Sequence, residues 1–176
     1  GLDAVLEIMP KLFQDRHDLK LIIIGTKGEL ERESESFCQE YPRRAFLRSN
    51  LASSELPFYY ADCDFLIAPT NAHHASMGMS IKEAMASGKV VIATDAPGIR
   101  EAVINEETGF LVPAGDNGKI NSKDLYELIL EVLGNENSLR AMEINARKRA
   151  EELFDRTSTS NRVIGIFESL LEGHRD

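Results

Sequence analysis

The sequence predicts a doubly wound α/β fold, a parallel sheet of about five strands with helices on both faces. Three observations predict it. Short apolar runs rich in β-branched residues recur at positions 21–24, 45–47, 65–68, 90–93 and 110–112. Segments of helical period separate them. The runs are apolar at successive positions instead of alternating, as strands covered on both faces are. Strands alternating with helices at this spacing build right-handed βαβ units.

The elements follow in order. Leu2, Val5, Leu6, Ile8, Met9 and Leu12 recur at helical spacing. Pro10 falls inside that run and either kinks the helix or splits it. The strand at 21–24 ends at Gly25, and a polar helix over about 29–41 leads to the strand at 45–47. Ser53 or Ser54 caps a helix running to about Asp62, and the strand at 65–68 stops at Pro69. A loop over 70–77 precedes a helix that passes through Ser80 and Ser87 and ends at Gly88, a residue suited to the left-handed position after a helix. After the strand at 90–93, Pro97 and Gly98 open a short helix to Val103, and Thr108 with Gly109 turns into the last strand. Three helices close the chain, striped by Leu125, Ile129 and Val132, by Met142, Ala146 and Ala150, and by Val163, Phe167 and Leu170.

A helix followed at once by a buried parallel strand implies another strand ahead of that helix. The sequence opens Gly-Leu-Asp with no Met or leader, so it reads as a fragment with its first strand missing. No internal repeat or linker divides it, and residues 1–176 read as one domain.

Composition narrows the function. The 176 residues carry a formal charge of −9, with 43% hydrophobic and 28% charged residues, ordinary for a globular domain. That acidity opposes non-specific nucleic-acid binding, which depends on cations meeting phosphates. It still permits a local site for a small phosphorylated ligand. Cys38 and Cys63 form no CxxC and lack a neighbouring histidine, which argues against a zinc site or disulfide framework and for a reducing compartment. No apolar run reaches the roughly 18 residues that span a bilayer as a helix.

Chemistry concentrates between Asp64 and Thr94. In this architecture ligands sit at the carboxyl ends of the strands, where the following helices begin. Gly78 opens such a helix, and without a Cβ it lets backbone approach a phosphate or sugar. The free amides of Met79 and Ser80, with the helix dipole, form an anion site. Glu83, about a turn and a half on, is an acceptor-only carboxylate able to hold two sugar hydroxyls. The plainer alternative is a solvent-facing glutamate on an amphipathic helix.

EAMASGKVVIAT (83–94), APGIREAV (96–103) and TGFLVPAGD (108–116) together resemble the C-terminal domain of retaining glycosyltransferases of the GT-B fold, the family 4 or group 1 glycosyl transferases. ELPFYYADCDFLIAPT (55–70), the opening GLDAVLEIMPKLFQDRHDLKLIIIG (1–25) and the closing helices resemble that family in the same order. The resemblance covers nearly the whole chain. It implies a Rossmann-like domain that binds a nucleotide-diphosphate sugar such as a UDP- or GDP-sugar, with transfer that retains configuration. The acceptor, a glycan, lipid or polysaccharide precursor, would bind an N-terminal domain absent from these residues. Glu83 would then take the ribose hydroxyls, and the amides of Gly78, Met79 and Ser80 would face the diphosphate. Neither a metal nor another cofactor is implied. The resemblance implies a cytoplasmic enzyme, with peripheral association at the inner face of the membrane.

The sequence departs from the family at one place. The family's Glu-x7-Glu pattern puts its first glutamate at Ala75, in a loop about two residues longer than the common form. His73 and His74 stand beside it. Either they are loop residues, or one replaces the carboxylate and contacts the transferred sugar, since imidazole donates, accepts and charges near neutral pH. Lys27 is a candidate for the diphosphate, and Arg48, just after a strand, for the nucleobase region. Glu101 reads as a first-turn dipole partner of the helix opened by Pro97. Two other readings remain: a non-catalytic nucleotide-sugar-binding domain, suggested by Ala75, and a related GT-B nucleotide-sugar epimerase.

Overall fold

A computed structural model describes residues 1–25 and 28–172, with the backbone alone at 136–138 and 172. The chain runs α1 (Leu2–Asp15), β1 (Leu21–Gly25), α2 (Glu31–Glu40), β2 (Ala45–Ser49), α3 (Leu56–Asp62), β3 (Phe65–Ala68), α4 (Met79–Ala86) and β4 (Val90–Thr94). It continues with α5 (Pro97–Arg100), β5 (Gly109–Val112), α6 (Ser122–Gly134), α7 (Glu136–Phe154) and α8 (Arg156–Glu172). Each of the five expected strands is present.

Among the described residues the five strands pair in parallel. Leu21 registers with Ala45, Phe65 with Val90, and Val91 with Gly109. The ladder is not continuous, however. Pairing gives a two-stranded sheet, β1–β2, and a three-stranded sheet in the order β3–β4–β5. The five strands therefore form two sheets among the described residues, not the single five-stranded sheet expected. Between β1 and β3 lies an apolar cleft of about 1030 Å³, bordered by Ile22, Ile24, Phe65 and Ile67 and floored by Val5 and Met9 of α1. No strand among the described residues occupies it, so Ile22 and Ile24 stay 41% and 40% exposed.

The doubly wound character is clearest around β4, whose five residues are all buried. Its side chains alternate between two cores. Ile92 joins Leu12 of α1 and Leu125 and Ile129 of α6 on one face. Val91 and Ala93 join Met85 of α4, Ile99 of α5 and Ala146 of α7 on the other. Helices thus cover both faces.

Three boundaries differ from expectation. Pro10 sits inside a continuous α1, where packing of Val5, Met9 and Leu12 on its inner face holds the helix across the lost amide. Neither Ser53 nor Ser54 caps α3. Its N-cap is Glu55, whose own carboxylate accepts from the Ala52 amide at 2.8 Å. The helix at Pro97 stops at Arg100, and α5 passes directly into a turn in which the Ala102 amide donates to the Ile99 carbonyl. The apolar residues of α8 do not enter the core: Val163, Phe167 and Leu170 are among its exposed side chains.

Candidate functional site

The site is the loop and helix that follow β3. Thr94, fully buried at the end of β4, accepts from the Thr70 amide through its hydroxyl at 2.9 Å and fixes where the chain leaves the sheet. Asn71 then holds the turn. Its side-chain oxygen accepts from the His73 amide at 3.0 Å, and its side-chain nitrogen donates to the Asn117 carbonyl at 3.3 Å. The Ala72 amide donates to the Gly118 carbonyl at 2.8 Å. On the other side the loop presses on Gly98, where a Cβ would lie 3.0 Å from the Ala75 carbonyl oxygen. The loop is clamped between the segments that follow β4 and β5.

Gly78 ends the loop at φ +73°, a left-handed value that favours glycine, and α4 begins at Met79 with no side-chain cap on its first amides. The other end of α4 is closed. The Gly88 amide donates to Met85 and the Lys89 amide to Ala84, and Gly88 is left-handed at φ +69°. The N-terminus of α4, with no side-chain cap, is the end that offers backbone donors to a ligand.

Glu83 lies half-buried on this helix. The Tyr60 hydroxyl, from α3, donates to Glu83 Oε2 at 3.0 Å. Burial, and next the hydrogen bond to this carboxylate, push the Tyr60 phenol well above its ordinary pKa. It therefore stays protonated and remains a donor. Ser80 and Glu83 border the large cleft together with Tyr59, Tyr60 and Pro69.

Gly78, Met79, Ser80 and Glu83 share the loop-to-helix junction and α4. His73 and His74 are exposed in the turn at 72–74, before Gly78, and both belong to the clamped loop. Their imidazoles make no hydrogen bond among the described residues. Arg48 lies within β2, not after it. Its guanidinium donates to the Leu47 carbonyl at 3.0 Å and sits 5.8 Å from the Phe46 ring centre. Lys27 lies outside the described residues. Glu101 follows the last residue of α5, so it cannot serve that helix's first turn; the nearby ion pair is Asp95 with Arg100 at 2.5 Å. No cluster of three or more histidine, cysteine or acidic side chains fit for a metal occurs among the described residues. No local sequence pattern marks Tyr60, because its partner Glu83 is 23 positions away.

The fold and this junction can be set beside known proteins. Residues 1–149 match the model of the family described as glycosyl transferases group 1, and the chain belongs to that family. Over 170 residues it is 25% identical to the phosphatidyl-myo-inositol mannosyltransferase of Mycobacterium leprae, covering 97% of this chain and 43% of that protein. The chain spans less than half the length of such curated relatives. Among solved structures, Anabaena Alr3699/HepE in complex with UDP superposes with a TM-score of 0.80 at 23% identity, over 96% of this chain and 45% of that one. The C-terminal domain of the group 1 glycosyl transferase LpcC from Francisella tularensis gives 0.72 at 19%, over 89% of this chain and 80% of that one. The fold is therefore the Rossmann-like, C-terminal half of the GT-B architecture.

Proposed function

We propose that this chain is the donor-binding half of a retaining glycosyltransferase that takes a nucleotide-diphosphate sugar, of the UDP or GDP type. One observation carries the reading: a left-handed Gly78, the uncapped start of α4 and the half-buried Glu83 stand in sequence on one helix at the carboxyl edge of the sheet. Backbone amides at Met79 and Ser80 meet the diphosphate, where the helix dipole offsets its charge and that of the departing nucleotide. Glu83 accepts from the ribose hydroxyls. One of His73 and His74 contacts the transferred sugar, Lys27 is the candidate for the diphosphate and Arg48 for the nucleobase region. The reaction needs no metal or other cofactor.

A glycan, lipid or polysaccharide precursor is the acceptor, held by an N-terminal domain of the complete polypeptide. The protein works in the cytoplasm, peripherally at the inner face of the membrane. Fast transfer needs both substrates held together and water excluded, so residues 1–176 alone bind nucleotide weakly and do not turn over.

Titration of the complete natural polypeptide with UDP and GDP tests the reading. Glu83→Gln should cost about 1.5–3 kcal/mol per charge-assisted hydrogen bond lost, roughly a tenfold or greater weakening. Glu101→Gln should leave affinity unchanged. Equal affinities for wild type and Glu83→Gln would sink the assignment. Ala75, where the family has a glutamate, favours one second reading: a domain that binds the donor without transferring it. Donor hydrolysis by the complete polypeptide decides against that reading, and tight nucleotide binding without turnover supports it.

A further inference from the structure

The contact between α3 and α4 points to a residue that works through Glu83. Tyr60 reaches from α3 to place its hydroxyl 3.0 Å from Glu83 Oε2. Its ring packs against the core shared by Met85 and Ile99, so ring and hydroxyl are held from behind. A glutamate on a helix surface otherwise samples several rotamers about three side-chain torsions. This one is tied at one oxygen. The other, Oε1, has no hydrogen bond among the described residues, and Glu83 borders the cleft with Ser80, one turn back on the same helix.

We propose that Tyr60 is a positioning residue, and that it makes the α4 site selective for ribonucleotides over 2′-deoxyribonucleotides. The inference rests on the reading of Glu83 as the ribose acceptor. With Oε2 engaged by the phenol, the carboxylate plane is fixed and Oε1 takes the hydroxyl whose position matters most. A second hydroxyl shares the remaining lone pair of Oε2, because a carboxylate oxygen accepts more than one donor. Without the phenol the carboxylate rotates, and two adjacent hydroxyls no longer gain over one. A phenol kept protonated by burial suits this work, since it cannot turn into a second anion beside Glu83.

The probes are UDP, GDP and their 2′-deoxy analogues, titrated against the complete natural polypeptide. Tyr60→Phe keeps the ring and its packing and removes only the donor. The ratio of ribo to 2′-deoxy affinity should fall about three- to tenfold in Tyr60→Phe, as expected for the net value of one or two hydrogen bonds. Thermal unfolding of the variant stays close to wild type. A merely structural Tyr60 would weaken both nucleotides alike and leave the ratio unchanged; that outcome overturns the proposal. Glu83→Gln is measured in parallel. If it weakens UDP or GDP while Tyr60→Phe leaves the ratio intact, the site reading stands and the positioning role falls. If Glu83→Gln changes nothing, or no nucleotide binds, both fall together.

Discussion

Gly118 shows how one missing Cβ holds the loop at the site. It is left-handed at φ +74°, and a methyl there would run into the Asn71 side-chain oxygen and lie 3.0 Å from the His73 ring. Gly118→Ala should therefore destabilise the domain by about 1–2 kcal/mol from backbone strain alone, read by denaturant unfolding, and should displace the 71–74 turn. A second residue-scale test uses acid. The Lys119 ammonium, donating at 2.8 Å, holds the Asp3 carboxyl down to about 2. A folded value below the unfolded one stabilises at pH above about 4 and is lost as pH falls through 2. The pair is solvent-exposed, so its worth is only about 0.2–1 kcal/mol. Wild type and Asp3→Asn should differ by that amount at pH 5 and converge near pH 2. What the sequence shows at this scale is uneven. Glu83 is legible because it follows a helix start on its own helix. The Tyr60 hydroxyl bond and the Asn71–Asn117 clamp join residues far apart in the chain, and no local pattern announces them.

At the scale of elements, legibility follows burial. β4, covered on both faces, announces itself as an unbroken apolar run; β1 carries the same signal but is not buried on both faces, since Ile22 and Ile24 are exposed. Helix ends depend on single hydrogen bonds and are harder to place. Asn121 is one that chemistry explains: its side-chain oxygen accepts from the Lys123 and Asp124 amides at the start of α6. Asn121→Ala should cost about 1 kcal/mol, measured by thermal or denaturant unfolding, with no change at the α4 site. Ser53 and Ser54 had equal claims on paper, but Glu55 occupies the N-cap and turns its own side chain back to the preceding amide. Glu101, Ala102 and Val103 continue a helical pattern beyond α5, but Ala102 lies buried in the turn after Arg100 and Val103 is buried just past it. The apolar stripe on α8 marks a helix, and its residues are exposed. Periodicity reports that a face wants cover, not what covers it.

For the molecule as a whole, the sheet is split between β1 and β3, and the two parts meet through side chains instead of a shared ladder. Phe13 of α1 stacks with Phe37 and Tyr41 at centroid distances of 6.2 and 5.2 Å. Arg44 donates to the Phe13 and Leu19 carbonyls at 2.6 and 3.0 Å. These contacts fasten α2 and β2 to the end of α1, whose inner face reaches the core beneath β4. Such an arrangement divides cooperativity. Backbone ladders transmit order from strand to strand, and where they stop, a local opening can stop as well. The β1–α2–β2 unit should thus behave as a separate foldon in residues 1–176. Native-state hydrogen exchange should show the amides of Ile23 and Phe46 opening at a lower free energy than those of Val91 and Ile92, which release only with global unfolding. Equal exchange free energies across both sheets would show that packing through α1 alone couples the halves. With the ladder broken, Arg44→Ala should loosen the first unit while leaving protection at β4 nearly intact, so a single guanidinium sets how independently that unit breathes.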